Sequence, residues 1–173
     1  NAPITFQNAS SLRADDGTLT IGGAINEVST IGTADNDGTL NVVNAWNSNV
    51  AANVVLNGGT VQGGAITVAN ATGIKGRGLV SSRVVNNTRL EANVAASTLA
   101  FETAVNDNDW DGGANTGTLA ASNGSTLEVR DNATFTYGGT VAATGGSRVY
   151  AKGFGFNFAT TSVINLTNST LET

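Results

Sequence analysis

The chain has 173 residues, a formal net charge of −5, only 12% charged residues, and no Cys, His or Met. Those absences exclude a disulfide framework, a thiol nucleophile, and any histidine general base or zinc ligand. The acidic balance argues against a nucleic-acid partner, which calls for a basic stripe, and no apolar run approaches the ~20 residues that span a bilayer.

The first elements repeat. Asp16-Gly17-Thr18-Leu19 returns as Asp37-Gly38-Thr39-Leu40 and again as Gly58-Gly59-Thr60-Val61, each time 21 residues on. A period of that size is too short for two packed helices and suits one coil of a β-solenoid, whose strands stack on those of the next coil. Thr18, Thr39 and Thr60 are then candidates for a ladder along the stack, with Thr20, Asn41 and Gln62 beside them. Missing threonines in that second column weaken an ice-lattice reading of the face. Gly73-Ile74-Lys75-Gly76-Arg77-Gly78 has the glycine spacing of a phosphate loop. It lacks the Gly-Lys-Ser/Thr ending and a following helix, so it reads as a turn between coils. Its two basic residues are of the kind that meet an acidic sugar or lipid, but two charges alone are little to build on.

Residues 79–116 do not hold the period, and read as an irregular insertion between regular coils at 1–78 and 117–173 of one β domain. Within it, Asp107-Asn108-Asp109-Trp110-Asp111-Gly112 places carboxylates at alternate positions before a glycine. That resembles the opening of a calcium loop, and Asp107, Asp109 and Asp111 are the candidate calcium ligands. The count puts Thr118 where a bidentate Glu belongs, so the full motif fails, and the plain alternative is an acidic surface turn. Trp110, within a polar loop, is the ring best placed to stack on a sugar. Otherwise no cofactor is expected.

After the insertion the period becomes 22. Leu119, Val141 and Val163 form one series and Leu127, Val149 and Leu171 a second. Phe154, Phe156 and Phe158 alternate with Gly155 and Asn157, which puts three rings on one face, read as core. Asp16 and Asp37, if stacked one strand spacing apart, would form a carboxylate pair of the kind glycosidases use. Their place before Gly-Thr reads instead as a turn, and the protein is expected not to be an enzyme.

The expected fold is therefore all-β: a parallel β-solenoid of about eight coils, a rod on the order of 40 Å long at one strand spacing per coil. The competing architecture is an antiparallel β-sandwich, whose Gly-punctuated strands would look similar. A sandwich subunit could form filaments by lending a strand such as Asn1–Gln7 to its neighbour.

Gly17-Thr18-Leu19-Thr20-Ile21, Gly38-Thr39-Leu40-Asn41-Val42 and Tyr137-Gly138-Gly139-Thr140-Val141 resemble repeats of autotransporter-type adhesin passengers and similar secreted bacterial surface proteins. The resemblance implies a right-handed parallel β-helix, export to the cell surface, and a role in adhesion or matrix. The expected partners are other copies of the chain and cell-surface glycans. A carbohydrate-binding or carbohydrate-cleaving β-helix is the remaining rival.

Overall fold

The computed structural model describes residues 10–102, 116–130, 134–152 and 155–173. In chain order the strands are β1 (Ser11–Ala14), β2 (Gly17–Ile21), β3 (Val28–Thr33), β4 (Gly38–Val42), β5 (Trp46–Asn47), β6 (Ala51–Gly63), β7 (Ile66–Val68), β8 (Ile74–Val80), β9 (Val84–Asn86) and β10 (Arg89–Ala92). They continue as β11 (Thr98–Phe101), β12 (Thr118–Ala121), β13 (Thr126–Arg130), β14 (Phe135–Tyr137), β15 (Thr140–Thr144), β16 (Arg148–Lys152), β17 (Phe156–Phe158), β18 (Val163–Thr167) and β19 (Thr170–Glu172).

Every strand pairing among the described residues is parallel. A hairpin sandwich is built from antiparallel pairs, so the chain is instead a parallel β-solenoid, of about 7 turns rather than eight. Each turn visits up to three sides. The first carries β1, β3, the start of β6, the start of β8, β10, β12, β15 and β18. The second carries β2, β4, the ends of β6 and β8, β11, β13, β16 and β19. β5, β7 and β9, and then β14 and β17, form third-side strands.

The stacking registers explain which repeats the sequence displayed. Thr18, Thr39 and Thr60 do stand in one column, as do Thr20, Asn41 and Gln62. Leu127, Val149 and Leu171 also align. Leu119 meets Val141, but Val141 then meets Ile164, and Val163 meets Thr140 instead. The series ending at Val163 was thus one residue out. On a pleated strand that slip exchanges the inner face for the outer.

Residues 79–102, expected to be irregular, continue the stack in β8 to β11. The period is disguised there because successive coils differ in length. Ile74 to its partner Leu90 spans 16 residues, and Leu90 to Leu119 spans 29. The glycine-rich segment at 73–78 is likewise not a turn between coils. It is the start of β8, in the middle of the sheet. Gly76 (φ +121°) is needed there because a Cβ would lie 1.9 Å from the Leu56 carbonyl oxygen.

Inward side chains fill a narrow interior. Ile31, Ile74, Leu90, Leu119 and Val141 sit one above another on the first side, all fully buried. Corners are closed by polar groups. Ser48 Oγ donates to Asn70 Oδ1 (2.7 Å) and accepts from the amides of Ala69 (2.8 Å) and Asn70 (3.0 Å). Asn70 Nδ2 donates to Thr72 Oγ1 (3.1 Å). At the later corners between the first and second sides, the Gly124 amide donates to Ser147 Oγ (3.0 Å) and the Ser147 amide to Ser169 Oγ (3.2 Å). Each corner is thereby fastened to the next coil, and its buried backbone is satisfied.

Leu119→Ala should cost about 2–5 kcal/mol, because neighbours held by their own ladders cannot collapse into the cavity. Equilibrium denaturation should show a lower midpoint with an unchanged slope. A midpoint equal to wild type would mean that the column is not tightly packed.

Candidate functional site

The sequence-predicted site residues Asp107, Asp109, Trp110 and Asp111 lie outside the described residues, as do Asn1–Gln7 and Phe154. Thr118, at the place of the missing Glu, is an outward residue of β12 flanked by Arg89 and Thr140 of the adjoining coils.

Most other rings belong to the interior. Trp46, Phe135 and Phe156 are buried, and Tyr137 is completely so. Phe156 packs edge-on against Phe135 and Phe158, each with centroids 4.7 Å apart, and stacks on Tyr137 at 5.8 Å. The Tyr137 hydroxyl donates to the Gly117 carbonyl (2.8 Å) and accepts from Asn86 Nδ2 (3.2 Å). Burial pushes this phenol above its ordinary range, against the opposing effect of the Asn86 hydrogen bond. Tyr150 is different. It points outward on the second side beneath the Arg148 guanidinium, 4.3 Å from the ring centroid.

The carboxylates at the corner of the first two coils do come together, though not in the expected pairing. The register places Gly17 beside Gly38, so Asp16 and Asp37 precede equivalent positions. The interacting pair is Asp15 and Asp35. Asp35 Oδ1 accepts the amides of Asp37 and Gly38, each at 3.0 Å. Those of its hydrogen bonds led by the Asp37 amide hold the Asp35 carboxyl below its ordinary value. The Asp15 carboxyl is raised, first by its hydrogen bond with Asp35 and then by the Asp35 charge. The two carboxyls thus shift each other's titration in opposite directions at a solvent-exposed corner. Among the described residues no three His, Cys, Asp or Glu gather as a metal site.

On the second side the outward rows change character along the stack. The first coils present Thr18, Thr20, Thr39, Asn41, Thr60 and Gln62, an uncharged polar grid. It ends where Thr60 meets Leu79, after a register shift in β6. Later coils carry ion pairs instead: Lys152 with Glu128 (3.0 Å), Arg148 with Glu172 (3.1 Å) and Arg130 with Glu102. The Lys152 ammonium is raised by its hydrogen bond to Glu128 and then by that residue's charge.

Some of this was open to sequence reasoning and passed over. Ser125-Thr126-Leu127, Ser147-Arg148-Val149 and Ser169-Thr170-Leu171 keep serine two residues before each inward aliphatic, so the corner serines repeat with the same 22-residue spacing as the Leu127 series. The Asp15–Asp35 contact left no such trace, since those residues are 20 apart and off the main period. Asn70-Ala71-Thr72 and Asn86-Asn87-Thr88 have the Asn-x-Thr form of a glycosylation acceptor, but both asparagines are buried, so neither side chain is presented for that modification. Compared with protein-family models, curated proteins and solved structures, the chain matches none of them.

The dyad should titrate in two steps. In a carboxyl-carbon NMR titration the Asp15 midpoint should lie above that of free aspartate and the Asp35 midpoint below it. As pH rises through the Asp15 midpoint the folded state gives up a proton it holds more tightly than the unfolded chain, so its contribution to stability declines. Asp35 runs the other way: its contribution is present above the unfolded value and is lost as pH falls through its lowered midpoint. In Asp35→Asn the Asp15 midpoint should drop. Two ordinary midpoints in the wild type would dismiss the mutual shift.

Proposed function

We propose that the protein is a non-enzymatic structural or adhesive solenoid that works outside the cell and associates with its own kind through its C-terminal coil. The observation that carries this reading is the state of β18. Val163, Ile164 and Leu166 are 48%, 46% and 41% exposed. Ile164 occupies the column in which Leu119 and Val141 are fully buried. Within residues 1–173 β18 pairs on one side only, with β15. At the opposite end Leu12, in the same column, is only 5% exposed.

An uncovered parallel edge presents a row of backbone donors and acceptors together with apolar side chains. It is a template for another strand. Repetition elsewhere in the chain serves rigidity: each coil is fixed by ladders above and below it. Broad, regular outer sides suit contact with other surfaces. The resemblance of the Gly-Thr-Leu repeats to secreted adhesin passengers supports an extracellular setting.

Sedimentation velocity across a concentration series should show assemblies that grow with concentration. Ile164→Lys combined with Leu166→Lys should return the protein to monomer, because each charge would have to be desolvated in the contact. A wild-type monomer at the highest concentration, or assembly unaltered by the double change, would overturn the self-association.

A further inference from the structure

The charges are unevenly distributed. Residues 38–90 hold four of the eight Lys and Arg and none of the thirteen Asp and Glu, a formal charge of +4. The rest of the chain carries −9. Because a solenoid stacks consecutive sequence along its axis, this stretch becomes a cationic band across the coils from β4 to the start of β10.

On the first side the band is most concentrated. β8 runs Ile74-Lys75-Gly76-Arg77-Gly78, and its alternation sends Lys75 and Arg77 outward while Ile74 is buried. The two Cα atoms are about 7 Å apart, two residues along a strand. Val55 and Asn57 flank them on the preceding coil, and Glu91 stands beside Lys75 on the next. Glu91 is held by Arg89 in a two-pronged pair (3.0 and 3.1 Å) and does not ion-pair with Lys75. The pairs Arg130–Glu102, Arg148–Glu172 and Lys152–Glu128 lie on the second side of later coils. Among the described residues Lys75 and Arg77 therefore have no carboxylate partner.

We infer that the first side of the coils carrying β6, β8 and β10 binds an anionic polysaccharide. The unpaired guanidinium of Arg77 can grip a carboxylate or sulfate with two hydrogen bonds, and Lys75 supplies a point charge beside it. Asn53 and Asn57 point outward on the adjoining strand and offer amides to sugar hydroxyls. The surface is a strand face, open along its length, which suits a polymer lying across it. Duplex nucleic acid, with one charge per about 1.7 Å, would meet too few cations here and would be repelled by the strongly negative remainder. A chain with one anion per sugar is more sparsely charged. This inference rests on the adhesive, extracellular part of the reading above and not on self-stacking.

Affinity electrophoresis of the whole chain through gels holding polygalacturonate, dextran sulfate or neutral dextran tests it. Both acidic polymers should retard the wild type and neutral dextran should not. Retardation should weaken at least about tenfold in Lys75→Gln/Arg77→Gln, each lost charged hydrogen bond being sufficient for that, with an unchanged melting midpoint. Arg148→Gln/Lys152→Gln, which removes two cations from the second side, should bind as wild type, and so should the Ile164→Lys/Leu166→Lys protein, which separates this test from that of assembly. Loss of binding in Arg148→Gln/Lys152→Gln equal to that of Lys75→Gln/Arg77→Gln would mean mere net charge and overturn the site. Absence of retardation, or retardation indifferent to the double change, would overturn it too. So would binding confined to phosphatidylserine vesicles or to DNA.

Discussion

A single coil of about 21 residues has no interior of its own. Its inward aliphatics are covered only when another coil lies above and below, and its backbone amides find acceptors only across that same boundary. Stacking is thus one interaction that satisfies two demands at once, and the rest of the molecule follows from it. Side chains in the column of Leu90, Leu119 and Val141 are excluded from solvent by copies of themselves. The corner serines are useful because the coil beyond supplies their partners.

The interior also limits the outer chemistry. Residues alternate strictly between inside and outside wherever the strands are regular, so any outward row is spaced by the strand and repeated by the stack. Function in such a molecule is a pattern laid over a grid. Polar threonines and amides occupy the grid in the early coils, free cations in the middle, and paired charges toward the end. Exposed ion pairs such as Lys152–Glu128 add little stability singly. Each such pair leaves its own stretch of the second side locally neutral.

Much of this was legible in the sequence because repetition turns geometry into spacing. The Thr18, Thr39 and Thr60 column needed only a constant offset of 21, and the structure keeps it. What escaped detection did so for identifiable reasons. Strands β6 and β8 run straight through a corner that later coils turn with polar residues, and stacked partners on the first side lie 16 residues apart from Ile74 to Leu90 but 29 from Leu90 to Leu119. A fixed-period reading sees noise there, although the pairing never stops. The Val163 slip arose because Val163 and Ile164 are both apolar, and only β15 decides which of them faces inward. Glycines at 73–78 suggested a turn, while the structure uses Gly76 for close approach of two backbones. The Asp15–Asp35 dyad depends on loop geometry outside any repeat, and nothing in residue spacing announces it.

Charge segregation is the feature that the grid makes meaningful. In a globular fold, a run from 38 to 90 without a carboxylate would be scattered over the surface by the path of the chain. In a solenoid, distance along the sequence becomes distance along the axis, at one strand spacing per coil. A screening length of about 8 Å at physiological salt covers less than two such steps. Charges several coils away are therefore largely screened from Lys75 and Arg77, and the acid that adjoins Lys75 is Glu91. Glu91 is held by Arg89. Lys75 and Arg77 keep a local positive field on a molecule whose net charge is −5, so net charge alone is a poor guide to what this protein attracts.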